Sequence, residues 1–265
     1  MNTILLTPLD LAAAASLLLA DAVLSLALGL HLHRAVLLAA VRMVVQLVLV
    51  GYVLRFVFQA GSPAAVLAIV LAMSAVAARE VAARPKQRLA RGGNLWFSAA
   101  AVGASTVLAV LLALATALRP QPWWDPRYAI PIAGIVLGGA LSSGSLALDG
   151  VLGGAAAARA GIEAQLALGC PFAQAVRPLV TEAIRRGLLP VVNQMTAAGV
   201  VTLPGAMTGQ ILAGVDPVEA VKYQILMLLL ISGAGGVAAG AAALLAARRL
   251  TDSRGRLRLD RLLTP

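Results

Sequence analysis

The sequence predicts an all-α, polytopic membrane protein, and three observations support that fold class. Hydrophobic residues make up 60% of the 265 residues and charged residues only 12%, whereas soluble domains hold roughly 45–50% and 25%. The mean hydropathy is +0.91. The apolar residues are gathered into stretches of about 20, the length that a helix needs to cross the hydrocarbon core of a bilayer. Soluble enzymes, disulfide scaffolds and disordered chains are thereby excluded.

Seven apolar stretches predict about seven transmembrane helices, without the alternating strands that are typical of a membrane barrel. The predicted spans are Leu9–Leu30, Ala35–Phe58, Pro63–Ala83, Leu95–Leu118, Ala129–Ala147, Gly187–Leu203 and Val221–Ala247. No segment between them resembles a soluble domain. Residues 1–265 are therefore predicted to form a single transmembrane domain.

The basic residues predict the orientation of these spans. The chain carries 21 Lys and Arg residues against 11 Asp and Glu, a formal net charge of +10. Most of the basic residues lie after the third span, after the fifth span and in the tail 248–265. Because basic segments stay on the cytoplasmic side, the C-terminus is predicted to be cytoplasmic and, with seven spans, the N-terminus outside. The charge thus indicates membrane topology, and no nucleic-acid partner is expected.

Small residues cluster in two of the spans, which permits helices to cross closely. The segment 133–145 is crowded with Gly, Ala and Ser, and Gly236 with Gly240 gives a GxxxG step in the last span. Both patterns are equally typical of ordinary packing inside one subunit, so neither predicts an oligomer by itself.

Two charged residues, Asp21 and Arg42, fall inside predicted spans, where a charge costs a few kcal/mol or more. Their depths from the inner ends of their helices are roughly 13 Å and roughly 10 Å at 1.5 Å per residue. Because these depths match, we predict an Asp21–Arg42 ion pair, with Gln46 one turn beyond Arg42. The pair either pins two helices together or lines the substrate path as a gate.

The sixth span and the segment after it hold polar and sulfur-containing side chains that are costly to expose to lipid. Pro204 and Gly205 break the helix and begin a segment, 204–214, that is either a re-entrant turn or an extracellular loop. We predict that this region lines the substrate route; hydrogen bonds between helices are the alternative. The predicted route residues, which do not choose one metal, are Asn193, Gln194, Met195, Met207, Thr208 and Gln210. No metal-binding motif of the CxxC or HExxH type occurs.

The predicted cytoplasmic coupling segment, residues 159–186, contains a short helix between the fifth and sixth spans. The helix is expected to end at Gly169, with Pro171 starting the next element. A short helix in this position suits docking into a groove of a soluble partner; lying on the membrane surface is the alternative. The residues predicted to make the docking contact are Glu163, Ala164, Leu166, Leu168 and Gly169.

The coupling segment also carries a specific resemblance. Its pattern E-A-x-x-x-x-G resembles the EAA loop of bacterial ABC importer permeases, the element that plugs into the ATPase. Longer segments resemble the FetB-type permeases, assigned to iron export, and the similar plant aluminium-tolerance permeases. The matching segments are QLVLVGYVLRFVF (Gln46–Phe58), IPIAG (Ile130–Gly134), LALG (Leu166–Gly169), LLP (Leu188–Pro190) and GVVTLPGAMTGQILAGVDPVEAVKYQI (Gly199–Ile225).

The resemblance implies a multi-pass permease of the bacterial plasma membrane that exports iron or a related metal ion. It also implies a cytoplasmic ABC ATPase partner and, because ABC machines place two membrane halves over two ATPases, a homodimer in the lipid. The 265 residues contain no G-x-x-x-x-G-K-[S/T] loop, so ATP and Mg²⁺ are expected in the partner and no cofactor in this chain. Another metal, a metal chelate or a nucleotide sugar would also fit the path, and the direction of transport stays open.

Three other functions stay open. The main alternative is a secondary transporter or channel without an ATPase, although the odd number of spans, the lack of a clear inverted repeat and the few membrane carboxylates disfavour it. A membrane scaffold would explain the basic inner face but not the polar sixth span. An intramembrane enzyme would need paired catalytic groups, and the sequence offers none, so no catalytic residue is predicted.

Overall fold

The computed structural model describes residues 7–90 and 93–263, and helices dominate this part of the chain. The all-α membrane class is confirmed. The helices are α1 (Pro8–Ala27), α2 (His33–Ala60), α3 (Pro63–Ala83), α4 (Gly93–Leu112, extended by a π-helical turn over Ala113–Leu118), α5 (Pro126–Ala157), α6 (Arg159–Ala167), α7 (Phe172–Ala175), α8 (Arg177–Ala197), α9 (Gly205–Leu212) and α10 (Pro217–Arg249). A 3₁₀ turn covers Leu259–Arg261, and two short strands, β1 (Arg88–Leu89) and β2 (Leu262–Leu263), pair antiparallel.

Six helices in the described part of the chain, α1 to α5 and α10, are long and apolar enough to cross a bilayer. The predicted count of seven is not confirmed, because the predicted sixth span, Gly187–Leu203, is not one helix. Instead, α8 begins at Arg177 and ends at Ala197. Its first half carries Glu182 and three arginines, Arg177, Arg185 and Arg186, so only its second half is apolar.

Contacts along the chain group it into two compact units, and the single transmembrane domain stays a prediction. The first unit ends at Ser62 and includes Leu212–Gly214, and in it α1 packs against α2. A capping box starts α1: the Thr7 hydroxyl accepts from the Asp10 N–H, and the Asp10 carboxylate accepts from the Thr7 N–H at 2.8 Å. These reciprocal bonds satisfy N–H groups that have no partner within the helix.

The second unit is built around α5, which packs against α3, α4, α8 and α10. Small residues let these helices approach closely. A methyl group added at Gly139 would lie 2.7 Å from Ile231 Cγ2 of α10, and one at Gly235 would lie 2.7 Å from Ser143 Oγ. A methyl group at Gly187 of α8 would lie 2.7 Å from the Ser143 carbonyl oxygen. The close crossing predicted for residues 133–145 is therefore present.

The GxxxG step of α10 plays no part in this contact. A Cβ built on Gly236 or on Gly240 meets no described atom within 4 Å. The close approach uses Gly235 instead, which is buried against α5. The GxxxG spacing therefore indicated that α10 carries small residues, but it did not identify the face of α10 that packs against α5.

Three basic segments lie together at one end of the second unit. Arg88, in the connection after α3, pairs with Leu263 of the tail through the β1–β2 ladder. The Lys86 N–H donates to Asp149 Oδ1 of α5 at 3.0 Å, and residues 254–257 of the tail share a cavity with the end of α6. The positive-inside rule expected these segments on one side of the membrane; that this side is the cytoplasmic one stays a prediction.

The contact at Gly187 predicts a stability effect. Gly187→Ala should lower the free energy of unfolding by about 1–3 kcal/mol, because the added methyl group meets α5 backbone rather than a flexible side chain. Gly240→Ala is the matched control: its methyl group enters open space, and the helix preference of Ala should leave stability unchanged or higher. Thermal-unfolding midpoints of the two variants in detergent test this expectation. Equal shifts in both would contradict the packing described here.

Candidate functional site

The short helix predicted in the coupling segment is present as α6, and its end is built by a Schellman motif. The Cys170 N–H donates to the Gln165 carbonyl and the Gly169 N–H to the Leu166 carbonyl, both at 3.0 Å. This closure needs a left-handed residue after the helix, and Gly169 supplies it at φ +87°. Pro171 then caps the four-residue helix α7. The sequence predicted both the helix end at Gly169 and the new start at Pro171. It placed the start of α6 at Glu163, whereas the helix begins one turn earlier, at Arg159.

Side chains on α6 divide into an inner and an outer set. Ile162 is buried, and Leu166 is half-buried against the core of the second unit. Leu166 was predicted to contact a partner, but its side chain packs within the chain because it lies one turn from Ile162 on the same face. Ala164 is exposed, and Leu168 is 88% exposed. An exposed leucine beside a helix end is a ready apolar contact for another protein.

Glu163 is exposed and forms an ion pair with Arg159 across one helical turn at 2.9 Å. Such surface pairs contribute little to folding. The Glu163 side chain lies on the edge of a cavity of about 500 Å³.

The tail forms the second wall of that cavity. Residues 254–257 face the α6–α7 turn, from Gly169 to Phe172, across this space. The sequence predicted only a basic cytoplasmic tail here. In the structure the tail folds back, with the Arg258 N–H donating to the Leu250 carbonyl at 2.8 Å, and Leu250 is buried.

Asp252 organises this folded tail, which we call the tail hairpin (residues 250–258). Its Oδ1 accepts from the N–H groups of Arg254 at 2.9 Å and Arg256 at 3.0 Å, and its Oδ2 from the Arg256 Nε at 3.0 Å. The backbone bond from Arg256 holds the pKa of the Asp252 carboxyl below its usual value. Gly255 adopts φ +71° at the turn. An aspartate followed by a glycine three residues later is a turn signal from which this hairpin could have been predicted.

A second groove, of about 700 Å³, adjoins the tail hairpin. Its floor is apolar, with Val176, Val180 and Leu244 contributing, and its rim carries Arg177 and Arg248. Together with the exposed side of α6, this groove gives the end of the second unit an apolar, positively rimmed surface. We call this combined surface the basic face.

The predicted substrate-route residues lie on the last turns of α8 and on α9. Asn193 and Gln194 are exposed, whereas Met195 is half-buried. Neither amide makes a side-chain hydrogen bond within residues 7–90 and 93–263. Within the described part of the chain, Asn193 and Gln194 therefore do not form the hydrogen bonds between helices that were the alternative prediction. In lipid such amides would be costly without partners.

The helix break predicted at Pro204-Gly205 is present, but α8 ends earlier than predicted. Ala198 is extended, and the Gly199 N–H donates to the Thr202 carbonyl at 2.9 Å. Gly205 then starts α9. Three predicted route residues lie on α9 and are half-buried: Met207, Thr208 and Gln210. The Thr208 hydroxyl donates to the Pro204 carbonyl at 3.2 Å.

The predicted Asp21–Arg42 ion pair is absent from the structure. Asp21, Arg42 and Gln46 are all exposed. Matching depth along two helices does not fix rotation about their axes. Among residues 7–90 and 93–263, no group of three His, Cys, Asp or Glu side chains is placed to hold a metal ion.

Comparison with known proteins places the chain in a family. The family model described as uncharacterised protein family UPF0014 matches residues 8–251. A UPF0014 membrane protein of Synechocystis is 41% identical over 204 residues, covering 76% of both chains. No solved structure matches the chain.

Two further relatives have names that refer to transport or to the membrane. The probable iron export permease protein FetB of Escherichia coli is 34% identical over 227 residues, which covers 86% of this chain and 85% of FetB. The UPF0014 membrane protein STAR2 of rice is 34% identical over 205 residues, covering 77% of this chain and 70% of STAR2. The residues that the family model matches include both α6 and α9.

The bonds at Asp252 predict how the tail hairpin responds to mutation and pH. Asp252→Ala should speed cleavage by trypsin after Arg254 and Arg256 several-fold, because two backbone N–H groups lose their acceptor. Since the pKa of Asp252 is lowered from 3.8, its contribution is complete above that pH and is lost as the pH falls further. Asp216→Ala, which removes the cap of α10 at its opposite end, is the control. Unchanged cleavage in Asp252→Ala would show that the hairpin is held by other contacts.

Proposed function

We infer, because this chain belongs to the UPF0014 family of membrane proteins, that it is the membrane-spanning permease subunit of an ABC transporter. It spans the bacterial plasma membrane several times and exports iron or a related metal ion. The proposal assigns ATP and Mg²⁺ to a separate cytoplasmic ATPase. The iron assignment draws on the name of the Escherichia coli relative.

One observation carries this proposal: α6 presents Ala164 and Leu168 outward on the basic face. A motor protein needs a protruding, firmly held element to push against. The Schellman closure at Gly169 and the buried Ile162 hold α6 in place, while Leu168 offers an apolar anchor that no described residue covers. The positive rim suits a partner with acidic residues around an apolar cleft.

The connections of α6 support a role in transmitting force. Only Ala158 separates α6 from α5, and α7 joins it to α8. A displacement of α6 is therefore passed to two helices that pack against each other and against α10. In the proposed cycle, closure of the ATPases moves α6 and rocks these helices, which opens the route to one side of the membrane and then to the other.

The exposed amides of α8 support a route between two copies of the chain. Asn193 and Gln194 find no hydrogen-bond partner among the described residues, yet they lie where α8 is apolar. A second permease subunit or a water-filled path would satisfy them. Amide oxygens and the Met195 thioether can hold a metal ion weakly enough to release it, so the homodimer and the metal route belong to the same proposal.

The first test addresses the contact with the motor. Leu168→Asp should abolish co-purification of the ATPase and its stimulation by the permease, because a charge replaces the apolar anchor. Val200→Asp is a closely matched control, since Val200 is 90% exposed and Leu168 is 88% exposed, and Val200 lies in the turn after α8. The ATPase should stay bound to this control. Full binding by Leu168→Asp would remove α6 from the docking surface.

The second test addresses the route. Asn193→Ala and Gln210→Ala should each reduce iron efflux from cells at least tenfold, because each removes a polar group from the path, while membrane levels and ATPase binding stay normal. Thr116→Ala is the control: its hydroxyl is exposed and bonds only the carbonyl of Leu112 in its own helix. Wild-type efflux by both route variants would contradict the assignment. Efflux that continues without the ATPase would favour a secondary transporter.

A further inference from the structure

A separate cavity of about 510 Å³ lies where the start of α4, the end of α10 and the tail meet. It adjoins the first turn of α4 through Trp96 and Phe97, and the last turn of α10 through Arg249. Arg258, Asp260 and Arg261 of the tail close its far side. The proposed transport route and the α6 contact use none of these residues.

The charges around this cavity do not cancel. Arg258 binds both carboxylate oxygens of Asp260 at 2.8 Å, so these two charges neutralise each other. Arg261 donates to the carbonyls of Arg249 and Thr251 at 2.7 Å and 3.0 Å, but a carbonyl leaves the charge of a guanidinium in place.

The second unbalanced charge belongs to Arg249. Its guanidinium carbon lies 5.8 Å from the centroid of the Phe97 ring. Its side chain forms no hydrogen bond or ion pair with the residues that the structure describes. Stacking on a ring fixes the direction of the guanidinium and leaves its N–H groups free. Among the described residues, the lining therefore carries three arginines, Arg249, Arg258 and Arg261, against the one carboxylate of Asp260, an excess of two positive charges.

The position of the cavity identifies the kind of anion that can reach it. Both α4 and α10 are long and apolar enough to span a bilayer, so the first turn of one and the last turn of the other lie at the membrane surface. Trp96 is 78% exposed and Leu95 is 49% exposed. Tryptophan prefers this depth, and an exposed apolar turn beside the arginines gives acyl chains a surface to lie on.

We propose that this cavity binds the phosphate group of an anionic phospholipid. The phosphate lies between Arg249 and Arg261, and the acyl chains lie along the first turns of α4 beside Trp96. Basic pockets at the ends of transmembrane helices are suited to such headgroups. A zwitterionic lipid brings its own ammonium group and would leave the protein charges unbalanced. By contacting the tail and α4 together, the lipid would fasten the tail to the membrane surface.

Fluorescence of Trp96 tests the proposal directly. The chain has three tryptophans, so Trp123→Phe with Trp124→Phe leaves Trp96 as the only one in the full-length protein. In detergent, brominated phosphatidylglycerol should quench Trp96 saturably and brominated phosphatidylcholine should quench it only weakly. Arg249→Gln should weaken the phosphatidylglycerol affinity roughly fivefold, from about 1 kcal/mol per basic residue near the surface, whereas Arg249→Lys should retain most of it.

Arg248→Gln is the matched control, because Arg248 is the neighbouring exposed arginine but lines the other groove; its lipid affinity should equal that of the parent. Three outcomes would overturn the proposal. Equal quenching by both lipids would indicate ordinary lipid contact at Trp96. An unchanged affinity in Arg249→Gln would remove the arginine from the site. Displacement of the lipid by low-millimolar inorganic phosphate would assign the cavity to a soluble phosphate.

Discussion

The close approach of α8 and α10 to α5 is the constraint on which the second unit depends. Within a bilayer the hydrophobic effect does not drive helices together, so they associate through packing of small side chains. Here Ser143 of α5 lies against Gly187 of α8 on one side and Gly235 of α10 on the other. Neither glycine position has space for a methyl group. These contacts fix three helices as one body, and any motion must move them as rigid elements.

Because these three helices are packed firmly, α6 is in a position to transmit force to them. The helix α6 is attached to α5 through Ala158 alone and is anchored by the buried Ile162. A displacement of α6 is therefore passed to α5 with little loss. The tail hairpin lies across the cavity from α6 and is itself held by Asp252. The proposed motor would therefore contact a surface whose two walls are both ordered. The same ordering of the tail brings Arg261 beside Arg249 and creates the proposed lipid site.

The parts of the site that sequence predicts are those set by local geometry. Gly169 is required where α6 closes, and Pro204-Gly205 marks the start of the separate helix α9, so both positions were predictable. The Asp21–Arg42 pair was predicted from matching depths, but depth in the membrane leaves the rotation of each helix undetermined. The fold of the tail was missed because its many arginines indicated topology, whereas its structure depends on one acceptor, Asp252. The end of α8 was placed too late because hydropathy alone continued through Val200 and Val201.

A separate motor is proposed to drive this chain, and measuring iron(II) flux through reconstituted vesicles would show whether it does. The chain would be inserted into liposomes with its ATPase, and radioactive iron(II) would be followed with ATP and Mg²⁺ supplied on the ATPase side. We expect iron(II) flux to require ATP hydrolysis and to stop with a non-hydrolysable analogue. Flux at an unchanged rate in vesicles that contain this chain without the ATPase, driven by a proton gradient, would contradict it.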